Sequence, residues 1–172
     1  MIVRALLLLL ILFPTATAAA RERIGIYEGW GAYRDEPGSD PAARSSARCF
    51  AIARPERSVK RRGASPFLSV ASWPSLRRSR EVHVRLSAPR GPRAPLLLDV
   101  AGRQFRLAGE GADGWATGAA MDRAIVAAIR MGTTLTVRSS GRDGRSIVEV
   151  YELKGAASAI DAATIACAGR QR

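Results

Sequence analysis

The stretch TLTVRSSGRDGRSIVEVYEL, residues 134–153, decides the fold class. Thr134 to Arg138 and Ser146 to Leu153 alternate apolar and polar side chains, the period of two that sets one face of a strand on a core and the other in water. Between them Gly141-Arg142-Asp143-Gly144 supplies an Asp-Gly step that tolerates the positive φ a tight hairpin turn needs. The reading is two antiparallel strands joined by a turn. A second hairpin lies upstream, where Leu96, Leu98 and Val100 lead into Ala101-Gly102-Arg103 and Gln104-Phe105-Arg106-Leu107 returns.

Further strands precede these. Cys49-Phe50-Ala51-Ile52-Ala53 reads as a buried strand stopped by Pro55, and Phe67 to Trp73 places Phe67, Ser69, Ala71 and Trp73 opposite Leu68 and Val70. Val82, Val84 and Leu86 alternate with Glu81, His83 and Arg85, a half-buried strand with one wet face. Trp30 to Tyr33 is a short aromatic segment; Asp35 to Ser46 is a loop, Glu56 to Pro66 a hairpin tip or longer connection, and Leu76 to Arg80 and Pro89 to Pro95 are exposed connections. Two segments switch to a helical period. Met121, Ile125, Ala128 and Ile129 form one stripe ended by Gly132, and Ala156, Ile160, Ala163 and Cys167 form another ended by Gly169. The expected fold is therefore mainly β (α+β): an antiparallel β-sandwich-like domain over residues 21–172 with two short helices. Trp30, Phe50, Phe67, Trp73, Phe105, Trp115 and Tyr151 are the rings expected to anchor its aliphatic core.

Residues 1–20 read as a secretory signal peptide: Arg4, an apolar run from Ala5 to Phe13, Pro14, and small residues from Thr15 to Ala20. Cleavage after Ala18 or Ala20 starts the mature chain near Arg21. The alternative, an uncleaved anchor, meets a run too short for the ~20 residues a membrane-spanning helix requires. The expectation is a periplasmic or secreted protein with no transmembrane anchor after cleavage. An oxidising compartment makes Cys49 and Cys167 candidates for one disulfide, worth about 5 kcal/mol in the idealised loop-closure model. The other reading is two buried thiols behaving as small hydrophobes.

The chain has 27 Lys and Arg against 15 Asp and Glu, a formal charge of +12. Loss of Arg4 with the leader leaves +11, and residues 44–93 carry all of it, with twelve Arg and Lys60 against Glu56 and Glu81. One reading is solvated loop charge reflecting base composition. The sharper one is a basic face for an anionic partner, with Arg57, Arg61, Arg62, Arg77, Arg78 and Arg80 as the anion-binding candidates, because arginine grips phosphate and carboxylate in a two-pronged geometry. For an exported protein the expected partner is anionic lipid, lipopolysaccharide or acidic glycan, or another envelope protein, and not nucleic acid.

Other motifs carry less. Gly109-Glu110-Gly111-Ala112-Asp113-Gly114 has the glycine spacing of a dinucleotide fingerprint, but Trp115 and Gly118 follow where a helix must open, so it reads as a glycine-rich loop. His83 is the single histidine, which excludes a metal site built on several imidazoles, and reads as a solvated surface residue. No nucleophile elbow, phosphate loop or Cys-x-x-Cys pair occurs. Glu110, Asp113 and Asp122 lie close enough to consider for acid–base work, although turn and helix-cap roles account for them. No catalytic residue, metal or cofactor is assigned.

The C-terminal half, from Leu107 and Gly109 through Trp115-Ala116, Asp122 to Ala128, Met131-Gly132, Leu135-Thr136-Val137, the 140–144 turn, Val150 to Gly155 and Ala159-Ile160 to Cys167, resembles the invasion-associated locus B family of small exported alphaproteobacterial proteins. Trp30 followed by Cys49 to Pro55 looks like that family's amino-terminal pattern. The resemblance implies a β-rich, sandwich-like periplasmic or surface domain with an envelope or host-interaction role and no established catalytic residues. Two cysteines and a more basic middle segment depart from the family's pattern.

Three functions follow. The first is a non-enzymatic exported envelope protein that binds an anionic envelope or host-surface component. The second is an enzyme acting on an envelope polymer through carboxylates such as Glu110 and Asp113, which requires a concave pocket around them. The third is a structural or assembly partner of another exported protein, with Trp73 or Trp115 exposed as an anchor.

Overall fold

A computed structural model describes residues 21–35, 47–58 and 65–168. The leader, residues 36–46, Arg61, Arg62 and Gly169 lie outside the described residues. The strands are β1 (Arg21–Tyr27), β2 (Trp30–Asp35), β3 (Arg48–Ala53), β4 (Phe67–Trp73), β5 (Arg78–Arg85), β6 (Leu96–Val100), β7 (Arg103–Leu107), β8 (Asp113–Trp115), β9 (Thr134–Ser140) and β10 (Ser146–Glu152). Among the described residues, two helices, α1 (Ala119–Met131) and α2 (Ala156–Ala168), and one 3-10 turn at Pro74–Leu76 accompany the strands. They form two antiparallel sheets, of six strands in the order β1-β2-β3-β4-β5-β8 and of four in the order β10-β9-β6-β7, the mainly-β α+β fold that the alternation predicts.

Both hairpins read from the sequence are present in the smaller sheet, β6 with β7 and β9 with β10. Three strands went unread: β2, which the sequence offered only as a short aromatic segment, β1 and β8. In β1, RERIGIY, charged residues occupy both faces of an edge strand, where they discourage pairing with other chains and hide the alternation. β8 is only three residues long and sits inside the glycine-rich stretch. That stretch is a tight structural turn: no helix opens at it, Asp113 donates its N–H to the Glu110 carbonyl, and Ala108 and Trp115 exchange backbone hydrogen bonds of 2.9 and 2.7 Å that join the two sheets. Arg90, buried within the connection expected to be exposed, clamps the turn by donating to the carbonyls of Asp113, at 3.0 Å, and Gly109.

The inner face of the six-stranded sheet is written in register rows. Ala32, Ala51, Val70 and Val82 form one row, and Trp30, Ala53, Leu68, Val84 and Gly114 the next, all buried. On this face α2 lies across β1 to β4, presenting the Ala156, Ile160, Ala163 and Cys167 stripe that the sequence set out. The alanines of this stripe leave little bulk between helix and sheet, and Gly155, just before the helix, has φ 85° and no room for a Cβ, which would overlap the Tyr27 carbonyl. At the other end Cys167 is joined to Cys49, with 5.8 Å between α-carbons, so the disulfide predicted over the two-thiol alternative is present. Trp30 crosses the core to donate its indole N–H to the Glu152 carbonyl at 2.8 Å, joining the sheets from within. Trp30 and Tyr151 are buried core rings as expected; Phe50 is buried too, but on the outer face of the large sheet and outside the core, whereas Phe67, Trp73 and Phe105 are half-buried and Trp115 is exposed.

Asp122 does more than favour a helix dipole. It is buried, and its carboxylate accepts the Val82 N–H at 2.8 Å, continuing the β5 ladder past the last β8 pairing. Among the described residues no helix is long and apolar enough to cross a membrane.

Candidate functional site

The register that builds the large sheet also sorts its charges. β1 starts, β2 ends, β3 starts, β4 ends and β5 starts at one end of the sheet, the end that the disulfide staples to α2. Among the described residues the strands and the β4–β5 corner at this end gather Arg21, Arg23, Arg34, Arg48, Arg77, Arg78 and Arg80 against Glu22, Asp35 and Glu81, and Asp161 of α2, paired with Arg130, also feels Arg80. Asp35 holds two of the arginines, Arg21 at 2.7 Å and Arg48 at 3.0 Å, while Arg34 pairs with Glu22 and Arg78 with Glu81 at 3.4 Å. Burial works against the charge on Asp35, but the two guanidinium hydrogen bonds and charges outweigh it and hold its carboxyl below the ordinary value. Among the described residues no carboxylate pairs with Arg23 or Arg77.

Part of this accumulation is architectural. The C-terminus of α2 carries the negative end of the helix dipole and has no basic residue in its own last turn; Arg77 and Arg78 instead line a groove of about 260 Å³ with Thr164, Cys167 and Ala168 of that turn. The corner carrying them is unusual. Arg77 and Arg80 adopt φ of 51° and 56°, left-handed conformations costly to a residue with a Cβ, and the Ser72 hydroxyl accepts the Arg80 N–H at 3.0 Å to hold the bend. Exposed Arg77, Arg78 and Ser79 bear out the reading of this connection as solvated.

Of the six arginines singled out from the sequence, Arg77, Arg78 and Arg80 thus converge. Arg57 does not join them: it follows β3 at the opposite end and bridges to Val150 of β10. Arg61 and Arg62 lie outside the described residues. Arg21, Arg23, Arg34 and Arg48 were missed, because their proximity depends on strand register and not on distance along the chain.

The outer face of the same sheet carries rings. Tyr33 stacks on Phe50 at 5.7 Å between centroids, and Arg48 and Arg21 lie over Phe50 at 4.7 and 5.3 Å. Phe67 meets the His83 edge-on at 5.0 Å, and His83 stacks on exposed Trp115 at 4.5 Å. A groove of about 460 Å³ runs over Gly31, Tyr33, Phe50, Ile52 and Phe67 between rims that include Arg21, Arg54, Glu28 and Glu56. Its apolar floor and mixed-sign rim suit binding.

His83 departs from the expectation of a solvated histidine. Alternation placed it on the wet face correctly, but Phe67 and Trp115 enclose the ring, and burial lowers its pKa despite its contact with Asp113 at 2.8 Å. Beside an ionised carboxylate, which can only accept, Nε2 is the donor. Asp113 also takes two hydrogen bonds from Arg85; burial opposes its charge, yet Arg85 and His83 outweigh that cost and lower its pKa. Asp113 is therefore held as an ionised carboxylate, and Glu110 is exposed on the turn before it. Neither lines a described pocket. Among the described residues no three His, Cys, Asp or Glu side chains gather as a metal site would.

The most deeply buried acid lies elsewhere. Glu149 of β10 is fully buried, accepts the Ser87 N–H at 2.6 Å and the Tyr151 hydroxyl at 3.3 Å, and burial raises its pKa. It ties the 86–90 connection to the smaller sheet and opens onto no described groove. Comparisons with protein-family models, curated proteins and solved structures find no match to this chain.

Proposed function

We propose that this is a non-enzymatic, exported binding protein of the cell envelope that engages an anionic envelope or host-surface component through the disulfide end of its large sheet. The observation that carries the reading is the convergence there of Arg21, Arg23, Arg34, Arg48, Arg77, Arg78 and Arg80 against three strand carboxylates. A one-sign surface of this kind raises the local potential and speeds encounter with polyanions, and guanidinium groups bind phosphate or carboxylate in pairs. Export is supported by the leader pattern at residues 1–20 together with the disulfide, which persists in oxidising compartments. The resemblance to the invasion-associated locus B family fits an envelope role, and periplasmic or secreted localisation follows from the same reading.

Retention on immobilised heparin, a soluble polyanion, tests it. The oxidised protein is expected to bind at low salt and elute as salt rises, because exposed charges are screened within about 10 Å at 0.1 M ionic strength. Reversal of Arg23, Arg77 and Arg78 to Glu is expected to abolish retention, whereas reversal of Arg54 and Arg57 at the other end leaves most of it. Retention that ignores salt, or survives the first reversal, overturns the proposal.

A further inference from the structure

The corner between β4 and β5 pairs its arginines with an exposed apolar side chain. Leu76, at the end of the 3-10 turn, is 52% exposed, and Arg77 and Arg78 follow it directly into solvent. Half-buried Trp73 precedes the turn, and Pro74 fixes its first position. In α2, Thr164 lines the groove shared with Arg77 and Arg78, and its neighbour Ile165 is 70% exposed. A single exposed leucine needs no explanation on an ordinary surface. At this corner it is held on a rigid turn at the most basic end of the molecule, between a tryptophan and a left-handed arginine.

We propose that the Pro74–Arg80 corner is a peripheral docking tip for an anionic phospholipid surface, with Leu76 entering the headgroup boundary while Arg77, Arg78 and Arg80 pair with lipid phosphates. The inference rests on the anion-binding reading and names its partner. A soluble acidic glycan rewards the arginines but provides no apolar phase for Leu76 or Trp73. A bilayer interface rewards both at once: anionic headgroups draw basic side chains, the acyl boundary takes the aliphatic one, and tryptophan settles between. The remaining arginines at this end face the same negative surface as it approaches. The disulfide ties β3, the neighbour of β4, to the end of α2 that shares a groove with Arg77 and Arg78, so the tip stands on a cross-linked end of the sheet.

Co-sedimentation of the oxidised protein with phosphatidylcholine vesicles, with and without phosphatidylglycerol, tests the tip, and heparin retention of each variant is measured alongside. The expected result is partitioning only onto the anionic vesicles, weakened about tenfold by Leu76→Ser, the loss that follows from leaving one leucine unburied. Leu76→Phe is expected to restore it, and neither variant changes heparin retention. In a Trp115→Phe background, lipid-borne bromine is expected to quench Trp73, because Trp30 is fully buried. Vesicle binding that ignores Leu76, or heparin binding without vesicle binding, overturns the docking tip and leaves the anion-binding reading standing. Failure to bind either probe overturns both.

Discussion

The two ends of the six-stranded sheet are made by the same strands, yet one carries a surplus of positive charge and the other a balance. At the disulfide end seven arginines face three strand carboxylates; at the opposite end Arg54, Arg57, Arg85 and Lys154 stand against Glu28, Glu56, Asp113 and Glu152. Lys154 pairs with Glu28 at 3.0 Å and Arg85 with Asp113 at 2.8 Å, so the balanced end neutralises itself locally. The means of closure differ as well. A covalent bond ties α2 to the basic end, where like charges repel, while a glycine contact and the Trp30 hydrogen bond close the neutral one. The contrast teaches that charge here is organised by strand register, and that the end under electrostatic load is the one given a cross-link.

Breaking each closure measures its share. Replacing Cys49 and Cys167 with serine is expected to cost about 2–5 kcal/mol in denaturant unfolding, because the two stand 118 positions apart in the chain. The loss should be greater at low salt than at high salt if the cross-link restrains repelling arginines. At the neutral end Gly155→Ala is expected to cost about 2–3 kcal/mol, since a Cβ there overlaps the Tyr27 carbonyl in a backbone conformation that disfavours side chains. Its cost should not depend on salt. Equal salt dependence of the two variants would remove the electrostatic half of the comparison.

Much of this frame was legible in the chain. Hairpins β6–β7 and β9–β10 were readable because their alternation and their turns are adjacent in sequence, and the Ala156, Ile160, Ala163, Cys167 stripe pointed its cysteine at the sheet. β1 was not, because Arg21, Glu22 and Arg23 mask a strand whose pairing to β2 is set by partners and not by its own pattern. The basic run at residues 44–93 was visible, but it mixed unlike things: Arg77 and Arg78 are surface, Arg90 is a buried clamp on a turn, and Arg57 belongs to the far end. The arginines that complete the candidate site come from β1, β2 and β3. No local signal marks residues that meet only through register.

Glu149 sharpens the comparison from the core, since it is a charge belonging to neither end. Glu149→Ala is expected to cost about 1–3 kcal/mol by leaving the buried Ser87 N–H unpaired. Glu149→Gln keeps an acceptor and removes the charge. Burial lifts the folded pKa above the ordinary 4.5, so the native chain holds this proton to higher pH than the unfolded chain does. Stability therefore falls as pH rises from about 4.5 through the folded value and then levels. Urea midpoints over an acidic-to-neutral series should show that drop in the parent protein and lose it in the Gln variant. A parallel drop in both would assign it to another group.

The smallest expected effect lies at Asp35, where stability and binding pull apart. Its carboxylate pairs with two partly exposed arginines, Arg21 and Arg48, so Asp35→Asn is expected to cost no more than about 1 kcal/mol. Because the folded pKa lies below 3.8, the parent's advantage is present above that value and disappears as pH falls through the folded one; the two proteins should converge in acid. The same substitution removes one of three strand carboxylates from the basic end and releases two guanidinium groups that Asp35 now occupies. Heparin retention should then rise while stability falls, a combination that a purely structural role for these arginines does not produce. An Asn variant that is less stable and binds no better would mean that Asp35 does not compete with the partner, and that Arg21 and Arg48 stand outside the binding surface.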